Sequence, residues 1–212
     1  MRDFPFFTTE NGVASLILKQ VPYSGIAYIR IRDASDPRAL LEECLDFCRA
    51  VGANSVCAAD HDILSEYPVH TSVIQMCCRK DGLPDTDAAL FPVQTETIAC
   101  WRDLYNRKMK NVDGASYMTV SDAELLLNKG NGYFIHRGSE LLGIGIASGD
   151  RIDTVISNIP GCGREVLLAL VHATSSDELY LEVASTNQRA VRLYEALGFI
   201  ATKELTRWHK IF

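Results

Sequence analysis

The sequence predicts an α/β fold built from two groups of strands and helices. Strand-like apolar runs alternate with helical patterns along the whole chain, and such alternation is typical of sheets covered by helices. The second half carries the longer order, β-α-α-β-β-β-α-β-α-β-β. With 212 residues, 47% of them hydrophobic and 23% charged, the chain has the composition of an ordinary globular protein of one large or two small domains.

The first half is predicted to run strand, strand, helix, strand. "GVASLILKQV" and "GIAYIRIRDA" have the composition of strands and flank the turn "PYSG". "DPRALLEECLDFCRAVGA" is a helical pattern with Asp36 as N-cap, Pro37 at the first position and Gly52 near the end. "NSVCAAD" and then "TSVIQMCCRK" are predicted as strands. The polar, turn-rich "DGLPDTDAA" predicts a boundary, so that residues 1–88 form a half-domain and residues 89–212 a complete domain.

The second half begins with the predicted strand "LFPVQTET". Helices in "IACWRDLYNRKMKNV" and "SDAELLLNKG" come next, followed by the strands "GYFIHRG", "ELLGIGIAS" and "DRIDTVIS". A helix in "REVLLALVHAT", the strand "DELYLEVAS" and a further helix follow. "FIATKELTRWHKIF" is predicted to close the chain as a bent strand or a hairpin. Each half contains a hairpin, a cap-rich helix and a short strand, which hints at an internal repeat.

The stretch "STNQRAVRLYEALGF" predicts a capped amphipathic helix. Its first three residues are good N-cap types, and Gly198 with Phe199 suits the left-handed turn that ends a helix and folds the chain back. Apolar side chains recur at helical spacing, at Ala190, Leu193, Tyr194 and Leu197. From these residues alone, the helix could simply pack on a core.

A glycine-rich turn joins a strand to a helix in "SNIPGCGREVLLALV". Such a turn allows close approach of a ligand and directs free N–H groups of the helix start toward it. Phosphate is the natural ligand, because the helix dipole favours an anion. The third glycine of a dinucleotide-binding fingerprint and the Gly-Lys-Ser/Thr of a P-loop are both missing.

Taken together, the strand, the Gly-x-Gly turn, the helix, the strand and "N-x-x-A-x-x-LYE-x-x-GF" resemble the GNAT family of acyl-CoA-dependent N-acyltransferases. The resemblance covers about residues 89 to 212 and implies a central mixed, mostly antiparallel sheet flanked by helices, with residues 1–88 as an additional half-domain that carries no active site. The family's loop pattern, Arg or Gln, then x-x-Gly-x-Gly/Ala, falls on Asn158, Gly161 and Gly163. The Arg/Gln position is therefore Asn in this chain.

The resemblance implies that acetyl-CoA is bound as the acyl donor. Asn187 would bind its pantetheine arm, Ala190 would leave room for it, and Tyr194 would direct its hydroxyl at the sulfur. Backbone N–H groups at the end of "TVIS" would polarise the thioester carbonyl. The implied cofactor-binding residues are Val155, Ser157, Asn158, Gly161, Cys162, Gly163, Arg164, Asn187, Ala190 and Tyr194. The C-terminal hairpin would close the acceptor side.

Acyl transfer to an amine needs a neutral amine, a donor for the carbonyl oxygen and a proton for the departing thiolate. Tyr194 is the candidate general acid. Asp153 is the leading candidate base, and Glu182 and Glu96 are alternatives. His136, His172 and Cys162 are interpreted as structural side chains, because no partner for nucleophilic chemistry is apparent for Cys162.

Composition limits the partners. The net charge of −6 argues against nucleic acid, and the apolar runs are too short to span a bilayer. The seven cysteines are scattered and odd in number, which favours buried thiols in a cytoplasmic protein and predicts no bound metal. We expect a small-molecule or protein amine as acceptor, and a homodimer stays open.

Two other functions are compatible with these patterns. One is a non-catalytic acyl-CoA-binding or regulatory module, suggested by the Asn at the Arg/Gln position of the loop. The other is a structural domain in which the first half mediates dimer contacts. Binding of coenzyme A separates the structural domain from the first two hypotheses, and thiol release in the presence of amines separates the enzyme from the binding module.

Overall fold

The structure of the chain is a computed structural model, which describes residues 5–110, 112 and 115–212. The chain divides into two compact units. Unit 1 comprises residues 1–73 and 204–212, and unit 2 comprises residues 74–203. The predicted division at residue 88, which concerns where the catalytic activity lies, stays a prediction.

Unit 1 holds a mixed sheet with one long helix. Its strands and helices are β1 (Phe6–Thr9), β2 (Gly12–Ile17), α1 (Val21–Ser24), β3 (Ile26–Ala34), α2 (Pro37–Ala50), β4 (Ser55–Ala59), the first part of β5 (Val69–Arg79) and the last part of β11 (Ile200–Lys210). β1, β2 and β3 are antiparallel, and β3 and β4 are parallel. The end of β11 pairs antiparallel with β4, His209 opposite Ala58. Its core includes the buried face of α2.

Unit 2 holds a longer mixed sheet with helices on both faces. Its remaining elements are β6 (Ala89–Pro92), α3 (Ile98–Met109), α4 (Val120–Lys129), β7 (Gly132–Arg137), β8 (Glu140–Ser148), β9 (Arg151–Ser157), α5 (Gly163–Val171), β10 (Glu178–Ala184) and α6 (Gln188–Ala196). β6 to β9 form an antiparallel meander, β10 joins β9 in parallel, and β5 lies beyond β10. The predicted mixed, mostly antiparallel sheet flanked by helices is confirmed.

Most predicted elements are present, and four differ. β1 was not predicted, and the short helix α1 lies where the turn "PYSG" was predicted. β6 is shorter than predicted, because the chain turns after Pro92 and the side chain of Thr97 accepts from the backbone N–H of Gln94. Of the two forms predicted for the C-terminal segment, the hairpin is wrong and the strand is present: residues 200–210 form one strand, whose end pairs with β4 instead of turning back. No helix within the described residues is long and apolar enough to cross a membrane.

The two units repeat one pattern of chain path. In unit 1, β2 and β3 are antiparallel, α2 follows, and β4 pairs in parallel with β3. In unit 2, β8 and β9 are antiparallel, α5 follows, and β10 pairs in parallel with β9. The internal repeat suggested by the sequence is therefore present in the order and direction of these strands.

Two glycines on β8 let α5 pack closely against the sheet of unit 2. A Cβ added at Gly143 would lie 2.6 Å from a methyl of Val166, and one at Gly145 would lie 2.3 Å from a methyl of Leu170. Val166 and Leu170 are fully buried in the core that α5 shares with β9 and β10. The glycines therefore fix the distance between the sheet and the helix whose first turn lies in the candidate site.

We predict that Gly145→Ala destabilises the protein by about 1–3 kcal/mol, the usual range for overpacking, because the new methyl would also lie 2.7 Å from the carbonyl oxygen of Thr154. Denaturant unfolding measures the change. Gly82→Ala is the matched control, since a Cβ there meets nothing within 4 Å. Equal stability of Gly145→Ala and the parent protein would contradict the packing described here.

Candidate functional site

A β-bulge in β9 marks the start of the candidate site. Ile146 lies opposite Thr154 while the next residue, Ala147, lies opposite Ile152, so Asp153 is an extra residue without a partner on β8. Pairing with β10 covers only Arg151 and Ile152. A bulge bends its strand and interrupts the ladder, which explains why β9 and β10 part at this point.

The bulge also reverses the direction of the backbone groups of β9. Beyond it, the carbonyls of Thr154 and Ile156 lie close to β8, within 2.7 and 2.2 Å of Cβ positions built on its glycines. Backbone groups alternate sides along a strand, so the N–H groups of Val155 and Ser157 face the side from which β10 has departed. These two donors are therefore available to a ligand.

The first turn of α5 provides further open donors. Its N-cap residue Cys162 makes no side-chain capping bond, and no acceptor in the described chain bonds the N–H groups of Gly163, Arg164 or Glu165. Cys162 itself is buried, and its N–H donates to the carbonyl of Ile159 at 3.2 Å. Open N–H groups at a helix start favour an anion.

Charges around this turn are mostly balanced, with one exception. The Glu165 carboxylate lies 3.7 Å from the guanidinium of Arg137, which reduces its repulsion of an anion. The guanidinium of Arg164 is exposed, and no ion pair involves it within the described residues. Gly161 has a φ of +94° and open space around its Cβ position, so the loop backbone can be approached closely.

Asn158, at the position where the GNAT loop motif has Arg or Gln, makes its hydrogen bonds within the protein. Its side-chain amide donates to the carbonyl of Leu141 at 3.2 Å, and its N–H donates to Leu142 at 2.7 Å. Its own carbonyl accepts from the ammonium of Lys108 on α3 at 2.9 Å. The positive charge next to this residue therefore comes from another element.

The stretch "STNQRAVRLYEALGF" forms α6 as predicted. Asn187 is the N-cap, and its side-chain oxygen accepts from the N–H of Ala190 at 3.2 Å. The amide nitrogen of Asn187 stays available to donate. Gly198 has a φ of +87°, and Phe199 folds back so that its N–H reaches the carbonyl of Tyr194 at 3.0 Å.

Tyr194 is the buried residue of α6. Its exposure is 7%, and its ring lies 6.0 Å from that of Phe199. No described residue makes a hydrogen bond to its hydroxyl. The hydroxyl oxygen is not fully buried, so it keeps contact with solvent. Burial raises the pKa of Tyr194 from 10.0 to about 12. At neutral pH the hydroxyl is therefore a proton donor.

The two carboxylates nearest the bulge share one arginine. The guanidinium of Arg151 lies 2.5 Å from a carboxylate oxygen of Glu182 and 3.4 Å from one of Asp153. All three side chains are about two-fifths exposed, at 39%, 42% and 45%. The structure thus brings two of the candidate bases together. Glu96, the third, lies exposed in the turn before α3.

The other singled-out side chains have structural surroundings. His136 packs edge-on against Phe91, with ring centroids 5.2 Å apart, and His172 is exposed at the end of α5. All seven cysteines are free thiols, and all except Cys100 are buried. Among the described residues, no group of three or more His, Cys, Asp or Glu is placed to bind a metal.

Comparison with known proteins decides the fold. No family model and no curated protein matches the sequence. Solved structures do match: a GCN5-related N-acetyltransferase from Anabaena variabilis ATCC 29413 has a TM-score of 0.61 and 11% identity over 94% of this chain and 59% of that chain. A GCN5-related N-acetyltransferase from Sphaerobacter thermophilus has a TM-score of 0.57 and 9% identity over 93% of this chain and 75% of that chain. This chain has the GNAT fold.

A third similar structure is a functionally unknown conserved protein from Staphylococcus epidermidis ATCC 12228, with a TM-score of 0.60 and 11% identity. It covers 98% of this chain and 93% of its own. This match therefore includes the first half of the chain as well as the second. The resemblance found in the sequence is confirmed at the level of the fold.

Sequence reasoning missed two charged residues near this candidate site. Lys108 lies in the last turn of α3, where a cation is expected simply to favour the helix dipole. Arg151 begins a strand, and nothing in the sequence indicates that it lies within reach of Glu182, 31 positions later. Neither residue belongs to the motif that identified the loop.

We predict that burial of Tyr194 makes stability fall as the pH rises from about 10 to 12. The pKa is 10.0 in the unfolded chain and about 12 when folded, so the folded state holds the proton through this window and the unfolded state loses it. Two pH units at 1.36 kcal/mol each correspond to about 3 kcal/mol. Unfolding measured at several pH values in the parent and in Tyr194→Phe isolates this contribution. Parallel curves for the two proteins would contradict it.

Proposed function

We propose that this protein is an N-acyltransferase of the GNAT family that moves an acetyl group from acetyl-CoA to a primary amine. The observation that carries the proposal is the row of open backbone donors that begins where β9 parts from β10. It comprises Val155 and Ser157 on the strand and the first turn of α5. The similarity to structures named as N-acetyltransferases supports the same assignment.

In this proposal the phosphates of the donor bind the loop and the first turn of α5. The N–H groups of Gly161, Gly163 and Arg164 and the Arg164 guanidinium provide the positive field. Asn158 and Cys162 shape the loop, since their own bonds stay within the protein. The pantetheine arm lies along the opened edge of β9, where the amide nitrogen of Asn187 can donate and the small Ala190 leaves space.

Acetyl-CoA supplies the acetyl group as an activated thioester. The N–H groups of Val155 and Ser157 donate to the carbonyl oxygen as negative charge develops on it. Asp153 accepts the proton that the amine loses, directly or through water, and Tyr194 donates to the departing sulfur. The amine gives up one proton and the thiolate gains one, so no other reactant is required.

The acceptor amine is either a small molecule or a protein amine. The rival proposal, a module that binds acyl-CoA without turnover, rests on Asn158, whose side chain is bonded to Leu141. If the loop then binds the donor in a displaced position, binding survives and chemistry is lost. Thiol release with a panel of amines, compared with hydrolysis in their absence, separates the two.

We predict that each chain binds one molecule of acetyl-CoA. α5 has open N–H groups, whereas the matching helix of unit 1, α2, is capped by Asp36, whose carboxylate accepts from the N–H groups of Arg38 and Ala39 at 3.1 Å. A carboxylate in that position excludes an anion. Isothermal calorimetry should give a stoichiometry of one.

A thermal shift accompanies that binding. At a ligand concentration 100-fold above Kd, binding adds about 2.7 kcal/mol, which raises the Tm of a chain of this size by about 5–10 °C. Absence of both heat and a thermal shift at millimolar acetyl-CoA would refute the donor assignment. A stoichiometry of two would show that the capped helix of unit 1 does not prevent binding.

We predict that Tyr194→Phe lowers kcat by about 10²-fold while Kd for acetyl-CoA changes little. The ring and its packing stay, and only the donor to the sulfur is lost. General acid catalysis spans about 10²- to 10⁴-fold, and the pKa of about 12 places Tyr194 at the weak end. Turnover and Tm are measured on the same preparation.

The measurement of Tm is the control for that experiment. If Tyr194 only packs, Tyr194→Phe should keep full turnover per folded molecule, and that outcome would contradict the catalytic role. Asp153→Asn in the same assay tests the base. Unchanged kcat there assigns proton acceptance to Glu182 or to water, because Glu182 shares Arg151 with Asp153.

A further inference from the structure

Lys108 places a side-chain cation at the start of the proposed phosphate-binding loop. Its ammonium donates to the carbonyl of Asn158 at 2.9 Å, across 50 positions of sequence. An ammonium carries three donors, and no other hydrogen bond and no ion pair involves Lys108 within the described residues. Two of its donors and its full charge are therefore left for a ligand.

The loop needs a positive charge from another element if it is to bind an anionic ligand. Asn158 occupies the position where the loop motif has Arg or Gln, and its side chain is neutral and turned back to the carbonyl of Leu141 at 3.2 Å. The chain as a whole carries a net charge of −6, so an anion gains nothing from a general positive field. Attraction has to come from groups at the site itself.

The position of Lys108 is also well defined. α3 is anchored by Trp101, which is fully buried and whose indole N–H donates to the carbonyl of Tyr133 at 2.9 Å. Leu104 and Tyr105 are buried in the same core as Ile156 of β9. The helix that carries Lys108 is therefore packed against the strand that leads into the loop, and Lys108 is half-buried.

We propose that Lys108 binds the diphosphate of the acyl donor and replaces, from α3, the loop side chain that Asn158 does not provide. The proposal rests on the proposed function, since it concerns the same site. It adds a specificity determinant: Lys108 distinguishes donors that carry a diphosphate from thioesters of pantetheine alone.

The experiment compares three probes on four proteins by isothermal calorimetry. The probes are coenzyme A, 3′-dephospho-coenzyme A and pantetheine, which lacks the diphosphate. The proteins are the parent, Lys108→Met, Lys108→Arg and Arg107→Met. Arg107 is the matched control, because it is exposed one position earlier on the same helix and its replacement removes the same charge.

Lys108→Met should weaken both nucleotide-containing probes by about ten-fold or more, the usual effect of losing a hydrogen bond to a charged group. Pantetheine affinity should not change. Lys108→Arg should retain most of the affinity, and Arg107→Met should match the parent. Higher salt should weaken the parent more than Lys108→Met, because the charge that is screened is absent from the variant.

Other outcomes overturn the proposal in distinguishable ways. If Lys108→Met weakens all three probes equally and lowers Tm, Lys108 only secures α3 to the loop. A loss seen with coenzyme A and absent with the dephospho form would assign Lys108 to the 3′-phosphate. A parent protein that binds coenzyme A while Lys108→Met binds it equally well refutes the role of Lys108 alone. A parent that binds none of the probes refutes the proposed function as well.

Discussion

One extra residue in a strand organises the candidate site. Asp153 adds a residue to β9 that β8 does not match, and this bulge has two consequences. β9 turns away from β10 after two paired residues, and the backbone groups of Val155 and Ser157 change sides. Without the bulge the same N–H groups would be used in the ladder, because every strand position alternates direction. The opening and its donors thus have one common cause.

Comparison of the two repeated units shows that a bulge alone does not create an open site. β3 also has a register shift against β2, at Arg32, but it ends two residues later at Ala34. The chain then enters α2 through Asp36 and Pro37, and Asp36 occupies the first N–H groups. In unit 2 four more strand residues and an uncapped loop follow the bulge. Two features therefore distinguish the start of α5, in the candidate site, from the start of α2, which is structural. These are the longer strand after the bulge and the absence of a carboxylate cap.

Sequence patterns located most of the elements and the loop and helix starts that form the candidate site. Periodicity and caps found α2, α5 and α6, because those signals are local: Asp36, Pro37, Asn187 and Gly198 act on residues within one turn. The bulge at Asp153 could not be predicted, since it depends on how two strands pair. The role proposed for Lys108 depends on a contact with Asn158 across 50 positions. The course of β11 is set in the same way by its pairing with the distant strand β4, and a local pattern carries no information on it.

The burial of Tyr194 limits the chemistry that its hydroxyl can perform. The pKa of about 12 lies about 3.5 units above that of a free alkyl thiol, so complete proton transfer to a thiolate is unfavourable by about 5 kcal/mol. In the proposed mechanism the hydroxyl is therefore a weak general acid, which contributes by donating a hydrogen bond while negative charge forms on sulfur and keeps its own proton. The proton that finally neutralises the sulfur is then the one released by the amine. Burial weakens Tyr194 as an acid but holds its side chain in one orientation. In the proposed mechanism, a fixed orientation of the hydroxyl toward the sulfur is the property that the site requires.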